Sequence, residues 1–537
     1  MTKLRLGRAA RSGLVLVTLA AAPLPAAAWL QLSAGLPFSD VGTFAVSPDG
    51  RWAAYVQDAV VDDAAELWSA PIFGGTPQRI SQTFPSGAGL QSLQISPDSR
   101  RVVYLATLAP GAAVQVWSVP IGGGTPVRLN PVLVAGGNVL SFQISADSQR
   151  VVYRADQSVD ERPELWSVPI AGGSATRLNS ALVAGGGVYD YRVSPVGSRV
   201  LFLADQATDE VSELWSVPIT GGTPVRLNGT LVSGGDVQYF EIAPGGQRAV
   251  YRADEQADER WELFSVPVAG GSRVKLNGTL VAGGTVSDFQ ISGDGQRVVY
   301  RADQLTFGIG EIFAVPIAGG SWVRLNGTLT SGHILTSYQI SQNGQRVVYL
   351  ADQDTDNVNE LYGVSITGGA VTKLNGALVS GGDVFAFRIS PNNDWVVYVA
   401  DELVNDYPMG YRVPLAGPSS SSELIWLRAF AVEWAIDAPR GRVLVKGNEA
   451  LSDSIVRLWS FPLDGAPDPN GGEELVPAAA FQPDGDVLTV RFHGDGTIVY
   501  AADQTVDDQI ELYSVPAAIF WDGFESHDTS AWSSTHP

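Results

Sequence analysis

The chain has no cysteine, two methionines and four histidines among its 537 residues. Without cysteine it has no disulfide and no cysteine-linked lipid anchor, so burial must supply its stability. His333, His493, His527 and His536 fall at no repeated position. No metal-binding histidine pair and no nucleophile elbow accompanies them. Positive charge is scarce as well: 34 Lys and Arg face 56 Asp and Glu, a formal net charge of −22. That balance argues against nucleic acid and anionic membrane surfaces, and it suits solubility, cations or basic partners. No apolar stretch reaches the ~18 residues of a membrane span. The run from Gly13 to Leu24 is too short. It follows Lys3, Arg5, Arg8 and Arg11 and precedes Ala26-Ala27-Ala28, which is the layout of a secretory signal over residues 1–28. The expected location is therefore outside the cytoplasm: periplasmic, cell-surface or extracellular, with no membrane insertion after signal removal.

A repeat dominates the rest. An aromatic closes an apolar run at Tyr55, Tyr104, Tyr153, Phe202, Tyr251, Tyr300, Tyr349 and Tyr398, every 49 residues. A second series keeps step at Trp68, Trp117, Trp166, Trp215, Phe264, Phe313, Tyr362 and Tyr411. Looser copies are marked by Val445 with Trp459 and by Tyr500 with Tyr513. About ten copies of one supersecondary unit define a repeat architecture. In the third copy, Phe142 to Ser145 reads as a strand and "ADSQ" as a turn. "RVVYRAD" from Arg150 is a second strand, rich in β-branched and aromatic residues. "ELWSVPI" from Glu164 is a third, stopped by Pro169 and "AGG", and "ATRLN" is a fourth. Four short antiparallel strands per copy, with no helical periodicity, predict an all-β fold: a β-propeller of about ten four-stranded blades.

The segments "SPDG-RWAAYVQD" from Ser47, "SPDSRRVVYLA" from Ser96 and "SGDGQRVVYRAD" from Ser292, each followed by "LWSVPI-GG" or a variant, resemble TolB-type, WD40-like (PD40) propeller repeats. The resemblance covers nearly all of residues 41–516. It implies a bacterial binding platform, or a propeller domain of the kind attached to hydrolases, with a structural Ser-Pro-Asp-Gly turn. The tail "DGFES-D-S-W" resembles a short C-terminal ending of exported bacterial proteins, which implies sorting or attachment for residues 517–537; a frayed terminus is the other reading.

The propeller is predicted over 29–516, with regular blades to about 416 and two divergent blades over 417–516. The last copy stops after its third strand, and "WLQLS" (Trp29 to Ser33) is spaced like a fourth. An N-terminal strand is thus expected to complete the last blade. Two smaller rings are the alternative to one ring of ten.

Antiparallel order puts the first–second and third–fourth turns on one face, and the second–third loops and blade links on the other. The loop face collects acids. Asp156, Asp160 and Glu164 recur as Asp205, Asp209 and Glu213, as Asp254, Asp258 and Glu262, and as Asp503, Asp507 and Glu511. Such oxygens are candidate calcium ligands, although the spacing is no EF-hand. The competing reading is solvated turns whose aspartates cap the backbone. The in-register tryptophans read as packing between blades, and Trp261, Trp322, Trp395 and Trp434 as exposed contacts. Asn228, Asn277 and Asn326, each before Gly-Thr, match a glycosylation acceptor, or a turn through positive φ. The function expected is a non-enzymatic binding scaffold for proteins or polymers. The alternatives are a calcium-stabilised surface protein and a polysaccharide-active enzyme centred on His333.

Overall fold

The computed structural model describes residues 30–33, 40–58, 64–329, 335–426, 430–437, 441–448, 456–463, 472–475, 486–492, 498–503 and 509–515. These form ten four-stranded antiparallel sheets, arranged as the blades of one β-propeller. The only helical element among the described residues is a 3-10 turn at Ser419–Ser421.

Blade 3 shows the unit: Val139–Ile144, Arg150–Ala155, Glu164–Pro169 and Thr176–Arg177. Tyr153 lies opposite both Phe142 and Trp166. The second strand is enclosed by its two neighbours in the sheet and by the adjacent blades above and below. This explains why "RVVY" is a continuous apolar run rather than an alternating one. Val151, Val152 and Tyr153 are all fully buried. Each core cluster joins two consecutive blades, as when Trp117 packs on a group holding Leu67 of blade 1 and Tyr104 of blade 2. The tryptophan series is therefore interblade packing, as its register predicts.

The Ser-Pro-Asp-Gly turn is a closed hydrogen-bond set. Ser47 Oγ donates to Asp49 Oδ1 at 2.6 Å and accepts from the Trp52 amide at 2.9 Å. Asp49 Oδ1 also accepts from the Arg51 amide at 3.1 Å. Gly50 takes the left-handed position at φ 69°. Ser99 and Ser148 occupy that position at 60° and 58°, a conformation that costs an L-residue roughly 1 kcal/mol. Each compensates with a bond to the preceding blade: the Asp49 and Asp98 amides donate to their hydroxyls at 3.0 Å.

The Asn-Gly pairs differ from expectation. Neither the asparagines nor the following glycines have positive φ. Asn277 is buried; its Oδ1 accepts from the Leu263 amide at 2.8 Å and its Nδ2 donates to the Gly278 carbonyl at 2.9 Å. Asn228 and Asn326 do the same for Leu214 and Ile312. The amide is a strut between third strand and blade link, and its nitrogen is not presented for a glycan. Glycine follows because a Cβ at Gly229 would lie 2.3 Å from the Arg273 guanidinium, and one at Gly278 would lie 2.4 Å from Trp322 Nε1.

The ring closes as the spacing predicts. Leu30–Gln31 pairs with Glu511–Val515, completing the tenth blade. The Leu32 amide donates to the Leu512 carbonyl at 2.7 Å. Ser514 Oγ reaches the Ile72 carbonyl of blade 1 at 2.8 Å, and Arg491 lies over the Phe44 ring at 5.8 Å. One core cluster mixes residues of blades 10 and 1. The two divergent blades join the same ring, and the two-ring arrangement does not form.

Candidate functional site

First strands lie nearest the axis, where neighbouring blades bond to one another directly. Gln143 Nε2 donates to the Tyr191 carbonyl of the next first strand at 3.1 Å, and its Oε1 accepts from the Val193 amide at 3.0 Å. Gln290 and Gln339 repeat the first of these bonds at 3.0 and 3.2 Å. Near the loop-side end of these strands the register shifts by one residue, a β-bulge, at the same place in blade after blade. The extra residue leaves the ladder and its side chain is re-aimed. Those residues are Leu140, Tyr189, Gln238, Ser287, Thr336 and Phe385. Tyr189 and Phe385 are about half exposed, at 50% and 53%. A ring of bulge side chains thus borders the loop-side mouth of the channel. Sequence reasoning missed it. The available signal was variation at two adjacent positions, the bulge residue and the one after it, between the constant apolar residues of the first strand.

The loop acids surround this mouth. In blades 3, 4 and 5 the first aspartate of the loop is buried and holds two segments together. Asp156, Asp205 and Asp254 accept, on Oδ1, the main-chain amides of Asn138, Gly187 and Asp236 in the blade link. Asp205 and Asp254 accept, on Oδ2, the loop amides of Glu210 and Glu259 at 3.2 and 3.0 Å. Asp205 Oδ2 also accepts the Tyr189 hydroxyl at 2.6 Å. Burial first, then the hydrogen bond and charge of Asp205, with Asp209 and Asp236 beyond, push the Tyr189 hydroxyl well above its ordinary pKa.

The second acids are exposed and lean on glycines of the link. A Cβ at Gly136 or Gly185 would lie 2.4 Å from the Asp160 or Asp209 carboxylate, and one at Gly234 would lie 2.9 Å from Asp258. The third acids are drawn away to the fourth strand. Glu164 pairs with Arg177 at 3.0 Å, Glu213 with Arg226 at 2.7 Å, and Glu262 with Lys275. In blade 10, Asp503 accepts the Asp486 amide and Glu511 accepts Gln31 Nε2 at 2.7 Å; Asp507 lies outside the described residues. Among the described residues, no three such side chains converge as a group that could hold a metal.

Asp236, in the link before blade 5, sits among other acids. It accepts the Ser212 amide at 2.6 Å. Its carboxyl is raised above the usual range by burial, against the help of that amide, and then by Asp254, Asp258 and Asp205 nearby. Three of the four off-register tryptophans have cationic partners within the chain. Arg252 lies over Trp261 at 5.1 Å, Arg388 over Trp434 at 5.2 Å and Arg412 over Trp395 at 4.5 Å. Trp322 meets Phe313 edge-on at 5.3 Å. All four histidines, residues 1–28 and residues 517–537 lie outside the described residues.

These features define the class as a ten-bladed β-propeller with a bulge-ringed channel mouth. No family model and no curated protein matches the chain. Similar solved structures include a prolyl endopeptidase, 13% identical over 68% of this chain and 55% of that one, with a TM-score of 0.37. The protein assigned as TolB in Agrobacterium tumefaciens is 18% identical over 44% of this chain and 80% of its own, with a TM-score of 0.27. A eukaryotic initiation factor is 12% identical over 73% of this chain and 89% of its own, at 0.45. The chain thus spans about half the length of the prolyl endopeptidase. None of these likenesses bears on what it does.

Proposed function

We propose that this chain is an exported, non-enzymatic binding scaffold that holds a protein or polymer ligand at its loop-side face. The observation that carries this reading is the bulge ring. Blades 3 to 8 share a near-constant framework and vary at the bulge residue that borders the channel mouth. The exposed positions there include aromatic and apolar groups, Tyr189 and Phe385 among them, which are the anchor types of binding surfaces. The loop tips above add exposed Phe307, Leu403 and Val404. The acids between them favour a partner with basic character. Many of the remaining loop carboxylates are engaged by main-chain amides or by Arg and Lys, which favours a supporting role for them over metal ligation.

The test is capture from a native extract of the source cells by immobilised wild type and by Tyr189→Ala/Phe385→Ala. Both side chains are about half exposed; because Tyr189→Ala also removes the hydroxyl bond to Asp205, a melting curve of the double variant is recorded alongside to confirm that it stays folded at the capture temperature. Loss of the retained species with the double variant is the expected result. Identical retained sets would sink the reading.

A further inference from the structure

The opposite face carries a different pattern. The residue opening the second strand is arginine in six successive blades: Arg101, Arg150, Arg199, Arg248, Arg297 and Arg346. All six are half-buried. In four of them Nε donates to a third-strand serine at 2.7 to 2.8 Å, which holds the guanidinium in one orientation. No carboxylate among the described residues ion-pairs with any of the six, in contrast to the arginines of the fourth strands. Asp98 and Asp147 are near Arg101 and Arg150 but are bonded within their own turns. Among the described residues, Arg199, Arg248 and Arg346 have no such neighbour, and burial lowers their pKa. Their charge is therefore under-compensated where it stands.

The surroundings add to this. The first–second turns of blades 2 to 7 hold seven arginines and three aspartates, and the third–fourth turns of those blades hold no acid. This positive arc belongs to a chain with a formal charge of −22. The acidic face is a strand length away, about 20 Å for six residues. That exceeds the ~8 Å screening length at physiological salt, so the two faces act independently. At the same position, blades 1 and 8 replace arginine with Trp52 and Trp395, which pack on the cores of their blades, with Arg412 over the Trp395 ring. The run of opening arginines is therefore six blades long.

We propose that this arc binds an acidic polysaccharide, an extended chain whose repeating carboxylates or sulfates meet successive guanidinium groups. A guanidinium is suited to two-point recognition of such groups. Single-stranded nucleic acid fits less well, because base stacking needs aromatics interleaved with the cations, and the six intervening positions are all arginine.

The test uses the intact mature protein with polygalacturonate and dextran sulfate as probes, and with neutral dextran and polydeoxythymidylate as comparisons. Binding to one or both acidic polysaccharides is expected, and the better of the two identifies the anion. Arg199→Gln/Arg248→Gln/Arg346→Gln is expected to weaken it by roughly tenfold. The same variant should leave loop-face capture unchanged. No binding to either acidic polysaccharide, equal binding by the triple variant, or tighter binding of polydeoxythymidylate would overturn the proposal. If the triple variant does not fold, salt decides with the wild type. Binding that fades between about 50 and 500 mM salt supports the arc, and salt-insensitive binding overturns it.

Discussion

Asp236 and Asn138 occupy the same place in two different blade links, and the comparison isolates the effect of one charge. Each side-chain Oδ1 accepts an amide of the preceding blade, Ser212 for Asp236 and Val114 for Asn138, at 2.6 and 2.9 Å. The aspartate alone carries a charge into a partly buried, carboxylate-rich site. Its folded-state pKa is raised above the unfolded value. The folded protein therefore holds the proton more tightly, and the group's penalty appears as pH rises through that window. Asp236→Asn keeps the acceptor and removes the charge. It is expected to stabilise by roughly 0.5 kcal/mol at pH 7, a small figure because solvent screens the site. The gain should vanish near pH 3, where both residues are neutral. Thermal melts of the two proteins at those pH values check this; a lower melting temperature for the variant at pH 7 would show that the charge is compensated. A second substitution pattern has the same logic. In blade 8, Trp395 stands where blades 2 to 7 have arginine, and Arg412 stands where blades 2 to 5 have serine. Arg412 donates to the Leu463 carbonyl as Ser216 does to Val268, and it stacks under Trp395. The cation has moved from one strand to its neighbour and kept the interblade bond.

At the scale of the element, the third strand depends on its asparagine strut. A fourth strand of two residues contributes few ladder bonds, as in Val274–Lys275 of blade 5. The buried asparagine extends that pairing by one side chain. Asn277→Ala would leave the Leu263 amide and the Gly278 carbonyl without their partners in a buried setting. A loss of about 2 kcal/mol is expected. Hydrogen exchange at the Leu263 amide should accelerate well before the neighbouring blades respond. Unchanged protection at Leu263 would mean that water replaces the strut.

At the scale of the molecule, one short segment closes the ring. Leu30–Gln31 supplies the outer strand of blade 10, and Leu32 and Ser33 anchor it to Leu512. Blades contact only their neighbours, so stability is close to a sum of blade and interface contributions, and an opened ring loses one interface outright. Deleting residues 30–33 is expected to lower the unfolding midpoint by several degrees and to make residues 487–515 the first site of limited proteolysis. Cleavage elsewhere first would show that blade 10 is held by its other neighbour alone.

Periodicity made about ten blades, their strand order and a closing strand legible, because eight copies repeat every 49 residues with no insertion; the choice of one ring over two was decided by tertiary packing, where blade 10 meets blade 1 in a shared core. Tyr153 and Trp166 were legible as packing residues for the same reason: position in the repeat is position in the blade. The loop acids were legible as a cluster but not as individuals. Asp205 and Glu213 look alike in sequence, yet one is directed at two main-chain amides and a tyrosine hydroxyl while the other reaches Arg226. The Asn-Gly pairs suggested a positive-φ turn, and the backbone is instead ordinary, with glycine required by the closeness of Arg273 and Trp322. The bulge ring was the least visible. A register shift is settled by how one strand meets the next in three dimensions, so Tyr189 and Phe385 read as ordinary strand residues until the ladder passes them by.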